Sequence, residues 1–230
     1  LSKRWKAAVR KYLIDENTML AAGNCQTSQA MAIYYNIFEP AERKAAFEQL
    51  INLIEEKEYH LDVGVLGGRV LFHVLTDFGY SDLAFSMIAR PDYPSYGNWI
   101  ARGATTLWEV FQPEGSDRIG SLNHHFWGDI SSWFTQALSG IRMAPHGEPN
   151  EVDFRPSFIS RLTHAEAFHI APAGRIASAW ERDADDVIEL TVELPSTMHG
   201  VIRLESGYVF EDGLAYKAAE SGTYRIHSIE

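Results

Sequence analysis

The sequence contains little cysteine, little positive charge and no long apolar run. Its one cysteine, Cys25, cannot form a disulfide within the chain, so the fold is compatible with a reducing compartment. The 31 Asp and Glu residues outnumber the 20 Lys and Arg residues, which gives a net charge of -11. This balance, with no basic run, argues against nucleic acid or an anionic membrane surface as a partner, and a neutral sugar fits better. No apolar run reaches the roughly 20 residues that span a bilayer, and the lack of a signal segment favours a cytoplasmic location.

What the sequence does contain falls into two halves of different apolar periodicity. From Ser2 to about Leu138 the apolar residues recur at helical spacing, in six segments separated by polar or glycine-containing breaks. Proline, glycine and polar residues cluster between Gly140 and Pro156, and alternating apolar residues follow. We therefore predict two domains, residues 1–143 and residues 144–230.

The helical half has clear apolar faces. The first helix places four such residues on one side: Trp5, Val9, Tyr12 and Leu13. The third is expected to begin at Pro40 and to end near Lys57. The sixth is expected to run from Asn123, which can cap it, to Leu138. Helical hairpins of this kind build a bundle, a superhelix or a closed α/α toroid, and periodicity does not choose among them.

The second half alternates as strands do. Apolar and polar residues alternate over four segments: residues 187–194, 200–204, 208–210 and 222–227. Glycine and proline punctuate these segments at turn spacing. The pattern predicts a small antiparallel β-sandwich.

A long aromatic loop between the fifth and sixth helices is the first candidate for a functional site. It runs from Arg90 to Gly120 and holds five aromatic residues: Tyr93, Tyr96, Trp99, Trp108 and Phe111. Aromatic faces stack on sugar rings, which makes Tyr96, Trp99 and Trp108 candidate substrate-binding residues. The alternative is that the aromatic side chains fill a core beneath the loop.

Glu109 is the candidate catalytic residue of this loop. It follows Thr105, Thr106 and Trp108, and a glutamate among aromatic residues can serve as a general acid or base. Glycoside hydrolysis needs a second carboxylate. Four aspartates within the chain are candidates, none in a distinctive context: Asp62, Asp77, Asp117 and Asp129.

Two further polar segments surround the loop. His124 and His125 follow Asn123, and an imidazole there can bond a sugar hydroxyl, although a structural role is the alternative. Zinc is not expected, because neighbouring residues of a helix point in different directions and no third ligand is near. Residues 60–68 form a glycine-rich bend without the lysine of a phosphate loop, so no nucleotide is expected either. We predict neither a cofactor nor a metal site.

Five segments resemble, in the same order, motifs of the bacterial inverting α-L-rhamnosidases. They are the glutamine-threonine helix of residues 26–35, the glycine bend of residues 60–67, the aromatic turn of residues 93–97, the sequence from Gly103 to Glu109, and residues 121–124. The tail also resembles the sandwich that closes these enzymes, at residues 171–174 and 206–208. Tyr96, and the order of residues 125–127, depart from the usual motifs.

The resemblance implies both a fold and an activity. The fold is α+β and multidomain, with the second half of an (α/α)6 toroid followed by the sandwich. The activity is hydrolysis of terminal α-L-rhamnosides with inversion, in which Glu109 activates water and His124 helps to form the rhamnose pocket. The general acid would precede residue 1. The implied partners are a rhamnose-containing glycoside or oligosaccharide, together with an N-terminal half of the barrel or a second copy in a homo-oligomer.

Two other interpretations are open at this point. The chain alone could be a non-catalytic fragment, or a module for sugar binding or assembly. In that case, half a toroid would expose apolar helix faces and self-associate. Another kind of α/α-barrel glycosidase is the third interpretation, and the five ordered motifs favour rhamnosidases over it.

Overall fold

The computed structural model describes residues 2–116 and 120–229. The chain divides into two compact units, the first ending at Ile130 and the second beginning at Ser131. The predicted domain boundary after residue 143 lies further along the chain than this division, and the limits of the domains stay a prediction.

The described residues form seven α-helices, most of them in the first unit. They are α1 (Ser2–Leu13), α2 (Gln26–Tyr34), α3 (Arg43–Glu55), α4 (Val65–Asp77), α5 (Ser81–Ala89), α6 (Tyr96–Ala101) and α7 (Asp129–Trp133). Two short strands, β1 (Ile14–Asp15) and β2 (Leu20–Ala21), pair between α1 and α2.

The core of the first unit is built by α2, α3, α4 and α5. Helix α2 packs on both α3 and α4, and α4 packs on α5. Ile33, Leu50, Ile54, Leu71 and Leu75 lose essentially all their exposure there. Apolar residues three and four apart share one face of a helix, which explains why α3 buries Leu50 together with Ile54, and α4 buries Leu71 together with Leu75.

Helix α1 forms as predicted but its apolar face is open. None of its residues is buried within the described chain. Trp5 and Tyr12 are 65% and 71% exposed. The described residues cover Val9 in part but leave Trp5, Tyr12 and Leu13 of the apolar stripe exposed.

The sixth predicted helix begins later than expected. Helix α7 starts at Asp129, and a π-helix over Phe134–Leu138 continues it. The backbone of residues 121–124 instead bonds to that of residues 107–109, with His124 N–H donating to the Leu107 oxygen at 2.8 Å. Asn123 therefore caps no helix, and the prediction of a helical start there is wrong.

The described residues of the second unit form nine strands in two sheets. They are β3 (Ile141–Met143), β4 (Glu151–Phe154), β5 (His164–Ala171), β6 (Gly174–Arg182), β7 (Ile188–Glu193), β8 (His199–Arg203), β9 (Tyr208–Phe210), β10 (Tyr216–Ala218) and β11 (Gly222–Ser228). One sheet has the order β10-β8-β4-β3, and the other the order β5-β6-β7-β11-β9. Residues from both sheets form one hydrophobic core, with Phe154 and Trp180 among its largest members.

The sheets are not entirely antiparallel, which corrects the sequence prediction. Strands β4 and β8 pair in parallel, with Phe154 opposite Ile202. Parallel neighbours need a long crossover connection, and here the connection passes through β5, β6 and β7 of the other sheet. Alternation along a strand fixes which face is buried but carries no information about the direction of its neighbour. The α+β class is confirmed; the half-toroid and the sandwich stay proposals.

Among the residues that the structure describes, no helix is both long and apolar enough to cross a membrane.

Candidate functional site

A cavity of about 570 Å³ in the first unit brings several of the predicted motifs together. Its lining comes from the start of α2, the glycine bend, the aromatic turn and the segment that follows Trp108. The residues are Cys25, Thr27, Leu61, Asp62, Val63, Gly64, Val65, Tyr93, Pro94, Glu109, Val110, Phe111 and Trp127. Glu109 therefore lies in the wall of a cavity, and its catalytic role stays a prediction.

Gln26 holds the glycine bend against the start of α2. Its side chain is fully buried; the amide nitrogen donates to the His60 oxygen at 2.9 Å and the amide oxygen accepts from the Asp62 N–H at 3.0 Å. One side chain thus satisfies two backbone groups of an irregular segment, which would otherwise lack partners. The bend then leads through Gly64 into α4.

An ion-pair network ties the bend to the aromatic turn. The Asp92 carboxylate lies 2.8 Å from both Arg90 Nη2 and His60 Nε2. The hydrogen bond from the Arg90 guanidinium, followed by that from His60, holds the pKa of the Asp92 carboxyl well below its usual range. The network places the segment that carries Tyr93 beside the segment that carries Asp62.

Glu109 is fixed at three points. Its backbone N–H donates to the Ser121 oxygen at 2.8 Å, and its carboxylate Oε2 accepts from the Ser121 N–H at 2.8 Å. The indole Nε1 of Trp127 donates to its backbone oxygen at 2.9 Å. The hydroxyl of Thr106 also donates to the Leu122 oxygen, which closes the pairing between the two segments.

Of the aspartates predicted as a possible second carboxylate and described by the structure, Asp62 lines the same cavity as Glu109. Its carboxylate lies 3.2 Å from Lys57 Nζ. Asp129 instead pairs with His73 at 3.1 Å, and Asp77 is exposed at the end of α4. Asp117 lies outside the described residues.

Most of the aromatic residues of the loop pack on one another. Trp99 stacks on Phe111 with centroids 4.3 Å apart, and Tyr96 meets both rings edge-on. Tyr96, Trp99 and Trp108 are 7%, 2% and 8% exposed. Burial raises the pKa of the Tyr96 phenol far above its usual range. This packing favours the core interpretation for Tyr96 and Trp99; sugar contact by these residues and by Trp108 stays a prediction.

His124 is half-buried at the edge of this region and is not among the residues that line the cavity. Its ring stacks on that of His125, with centroids 5.1 Å apart and an interplanar angle of 7°. The expectation that the two rings diverge on a helix is therefore wrong, because this segment is not helical. Among the described residues, no three His, Cys, Asp or Glu side chains gather as metal ligands do.

Sequence reasoning missed two features of the site. The hydrogen bond from Trp127 to Glu109 joins residues 18 apart, and no local pattern signals it. Helix α6 was also missed, although Ser95 caps it by accepting from the Asn98 N–H at 2.8 Å. A serine three residues before an asparagine, inside an aromatic segment, was the available signal.

Family models match both parts of the chain. Residues 1–138 match the model described as the bacterial α-L-rhamnosidase 6 hairpin glycosidase domain, and residues 150–207 match the model described as the bacterial α-L-rhamnosidase C-terminal domain. An α-L-rhamnosidase of Streptomyces avermitilis is 29% identical over 222 residues, which cover 89% of this chain and 21% of that protein. An α-L-rhamnosidase of Alteromonas sp. (strain LOR) is 30% identical over 198 residues, covering 82% and 21%.

Solved structures are similar over nearly the whole chain. The crystal structure of the Streptomyces avermitilis α-L-rhamnosidase complexed with L-rhamnose has a TM-score of 0.85 and 27% identity, covering 97% of this chain and 23% of that one. The α-L-rhamnosidase of Aspergillus terreus has a TM-score of 0.83 at 24% identity, covering 97% and 26%, and shows a shared fold. The chain spans about a fifth of the length of these curated relatives.

Proposed function

The chain belongs to the bacterial α-L-rhamnosidase family, and from that premise we propose that the natural protein carrying these residues hydrolyses terminal α-L-rhamnosides, with Glu109 as general base. The observation that carries the proposal is the position of Glu109. Its carboxylate lies in the wall of a cavity about 570 Å³ in volume, which is large enough for a sugar ring. A backbone N–H holds one of its oxygens in place.

The proposed reaction is a single displacement with inversion. Glu109 takes a proton from a water molecule, whose oxygen bonds to the anomeric carbon as the bond to the aglycone oxygen breaks. A general acid on the opposite side protonates the leaving oxygen. We place that acid in a part of the natural protein that precedes residue 1. Asp62 then contributes to the pocket wall rather than to proton transfer.

The neighbouring residues are assigned to substrate binding. We propose that His124 contacts rhamnose hydroxyls, that Trp108 borders the pocket, and that Tyr96 and Trp99 support it from beneath. The buried packing of the last two rings supports that division of roles. The substrate is a rhamnose-containing glycoside or oligosaccharide.

The architecture proposed for the natural protein follows from α1. We propose that the first unit is the second half of an (α/α)6 toroid and that the second is the closing β-sandwich. The exposed face with Trp5 and Tyr12 would then pack on helices of the first half, or on a second copy of the chain.

The test is hydrolysis of an aryl α-L-rhamnoside by the natural protein. Glu109→Gln should lower kcat by roughly 100-fold or more, because it removes general base catalysis. Glu114→Gln, an exposed glutamate of the same segment, is the matched control and should keep normal turnover. Magnetic resonance of the first sugar released should show β-L-rhamnose. Near-normal turnover by Glu109→Gln, or release of the α anomer, would contradict the proposal.

A non-catalytic role for the 230 residues by themselves is the second candidate, favoured by the open face of α1. We expect this chain alone to release no aryl aglycone and to associate in solution. Sedimentation velocity with an activity assay on the same sample checks both. Release of aglycone by the isolated chain would place an acid within it and make Asp62 and Asp129 the residues to substitute.

A further inference from the structure

The indole of Trp127 bonds to the backbone of the proposed base rather than to its carboxylate. Its Nε1 lies 2.9 Å from the Glu109 oxygen, and the indole is 5% exposed. Both residues line the same cavity. The carbonyl carbon of Glu109 is bonded to its Cα. A hydrogen bond that holds the carbonyl oxygen in place therefore also restricts the position of the Cα from which the side chain extends.

The indole ring of Trp127 is closely packed on several sides. The indole lies directly against the backbone of α4 at Gly68, which has no side chain. A Cβ added there would lie 2.5 Å from Cζ3 of the indole. Phe111 also packs on the indole, with ring centroids 4.5 Å apart. The phenol of Tyr96 donates to the Trp127 oxygen at 3.3 Å. These contacts hold the indole in one position, so the direction of its N–H bond is fixed as well.

The other two contacts of Glu109 come from one neighbour. Ser121 accepts from the Glu109 N–H and donates to Oε2, both through backbone atoms and both at 2.8 Å. Ser121 thus holds Glu109 through its backbone, whereas Trp127 holds it through a side chain. The bond from Trp127 can therefore be removed by substitution without touching the backbone pairing.

We propose that Trp127 is a positioning residue, which sets the location of the Glu109 carboxylate through the hydrogen bond to its backbone oxygen. The inference rests on the proposed function of Glu109. The physical reason is that a base displaced by a fraction of an ångström from its water loses much of its rate advantage. A phenylalanine would keep an aromatic ring at this position but would lose part of the indole's volume, and it would leave the Glu109 oxygen without its donor.

The kinetic test uses Trp127→Phe in the natural protein with an aryl α-L-rhamnoside. We expect kcat to fall roughly 5- to 10-fold, the equivalent of one hydrogen bond, with KM within about two-fold of the original. Combined with Glu109→Gln, it should cause no further fall, because a residue that acts through the base has nothing left to position.

The matched control is Trp180→Phe. Trp180 is also buried and donates its indole N–H to a backbone oxygen, that of Leu138, at 2.7 Å in the second unit. Both variants should lose similar stability, and kcat should stay unchanged for Trp180→Phe. An unchanged kcat for Trp127→Phe, or an equal fall in the Glu109→Gln background, would overturn the proposal.

A second measurement does not depend on activity. In the 230-residue chain, exchange of the Trp127 indole hydrogen with solvent deuterium should be at least about 100-fold slower than that of a tryptophan in a short unstructured peptide, because this indole is buried and hydrogen-bonded. Equally fast exchange would overturn the positioning role while leaving the assignment of Glu109 untouched. If Glu109→Gln instead keeps normal turnover, the base is wrongly assigned, and the positioning role falls with it even where the hydrogen is protected.

Discussion

The side-chain oxygen of Gln26 accepts a hydrogen bond from the backbone N–H of Asp62 at 3.0 Å, across 36 residues of the chain. The same amide donates to the His60 oxygen. A glutamine amide presents one donor and one acceptor side by side, and this matches two backbone groups that flank a single residue. The glutamine-threonine helix and the glycine bend are thus two halves of one structural unit.

Gln26→Met should therefore destabilise the chain although its volume changes little. The substitution leaves an N–H and a C=O without partners in a partly buried place, and we expect a loss of about 1–2 kcal/mol in the free energy of unfolding. Urea unfolding of the 230-residue chain measures it. Gln49→Met on α3, where the amide is partly exposed, is the control and should change the value by less than about 0.5 kcal/mol. Equal losses for the two variants would mean that the bridge contributes nothing specific.

Local periodicity was sufficient for the helices that pack on their own neighbours. Helix α3 repeats apolar residues every three or four positions, and its predicted bounds, Pro40 to about Lys57, lie within three residues of the observed ones. The start of α7 was predicted wrongly, because residues 121–124 pair with residues 107–109 and do not begin a helix. Pairing between separate segments depends on the whole fold, and a window of sequence does not contain it.

The candidate site was predictable in its members but not in its arrangement. The motifs named Glu109, the glycine bend and the aromatic turn, and the structure brings all three to one cavity. It also buries Trp99 almost completely, whereas sequence alone left stacking on a sugar and packing in a core equally open. The sequence shows that a residue is aromatic, but only its neighbours in the fold determine whether its ring face is free to contact a sugar.

The Asp92 network predicts a pH-dependent contribution to stability. Because the pKa of this carboxyl is lowered in the folded chain, its ionised form is stabilised by folding, so the contribution is full above the ordinary carboxyl pKa of about 4 and declines as the pH falls below it. The carboxylate is 51% exposed, so solvent screening limits the contribution to about 1 kcal/mol or less.

Asp92→Asn should accordingly lower the urea midpoint at pH 6, and the gap to the original chain should narrow between pH 4 and pH 2.5. Salt at 1 M should narrow it as well, because exposed ion pairs are screened. Asp185→Asn, at an exposed aspartate of the second unit, is the control and should show no such trend. A gap that is independent of pH would contradict an ionic origin.

Cys25 offers a direct probe of the cavity, because its side chain lines the wall that also contains Glu109. Alkylation of the thiol by a maleimide would place a bulky group in a space of about 570 Å³. Turnover of an aryl α-L-rhamnoside by the natural protein should then fall at least about ten-fold, and L-rhamnose should slow the inactivation. The Cys25→Ser variant should lose no further turnover on treatment. Inactivation at the same rate in that variant would show that another group is responsible.

Gly68→Ala tests the contact between α4 and Trp127. Alanine normally stabilises a helix interior over glycine by about 1 kcal/mol. Here the added methyl group would lie 2.5 Å from the indole, so the ring or the helix must move, and we expect a net loss of about 1–3 kcal/mol. Gly222→Ala in β11 is the control, because an added Cβ meets nothing within 4 Å there, and its effect should be small. Urea unfolding compares the two, and a more stable Gly68→Ala chain would mean that the indole does not rest on this face of α4, which would also remove the rigid support from which Trp127 reaches Glu109.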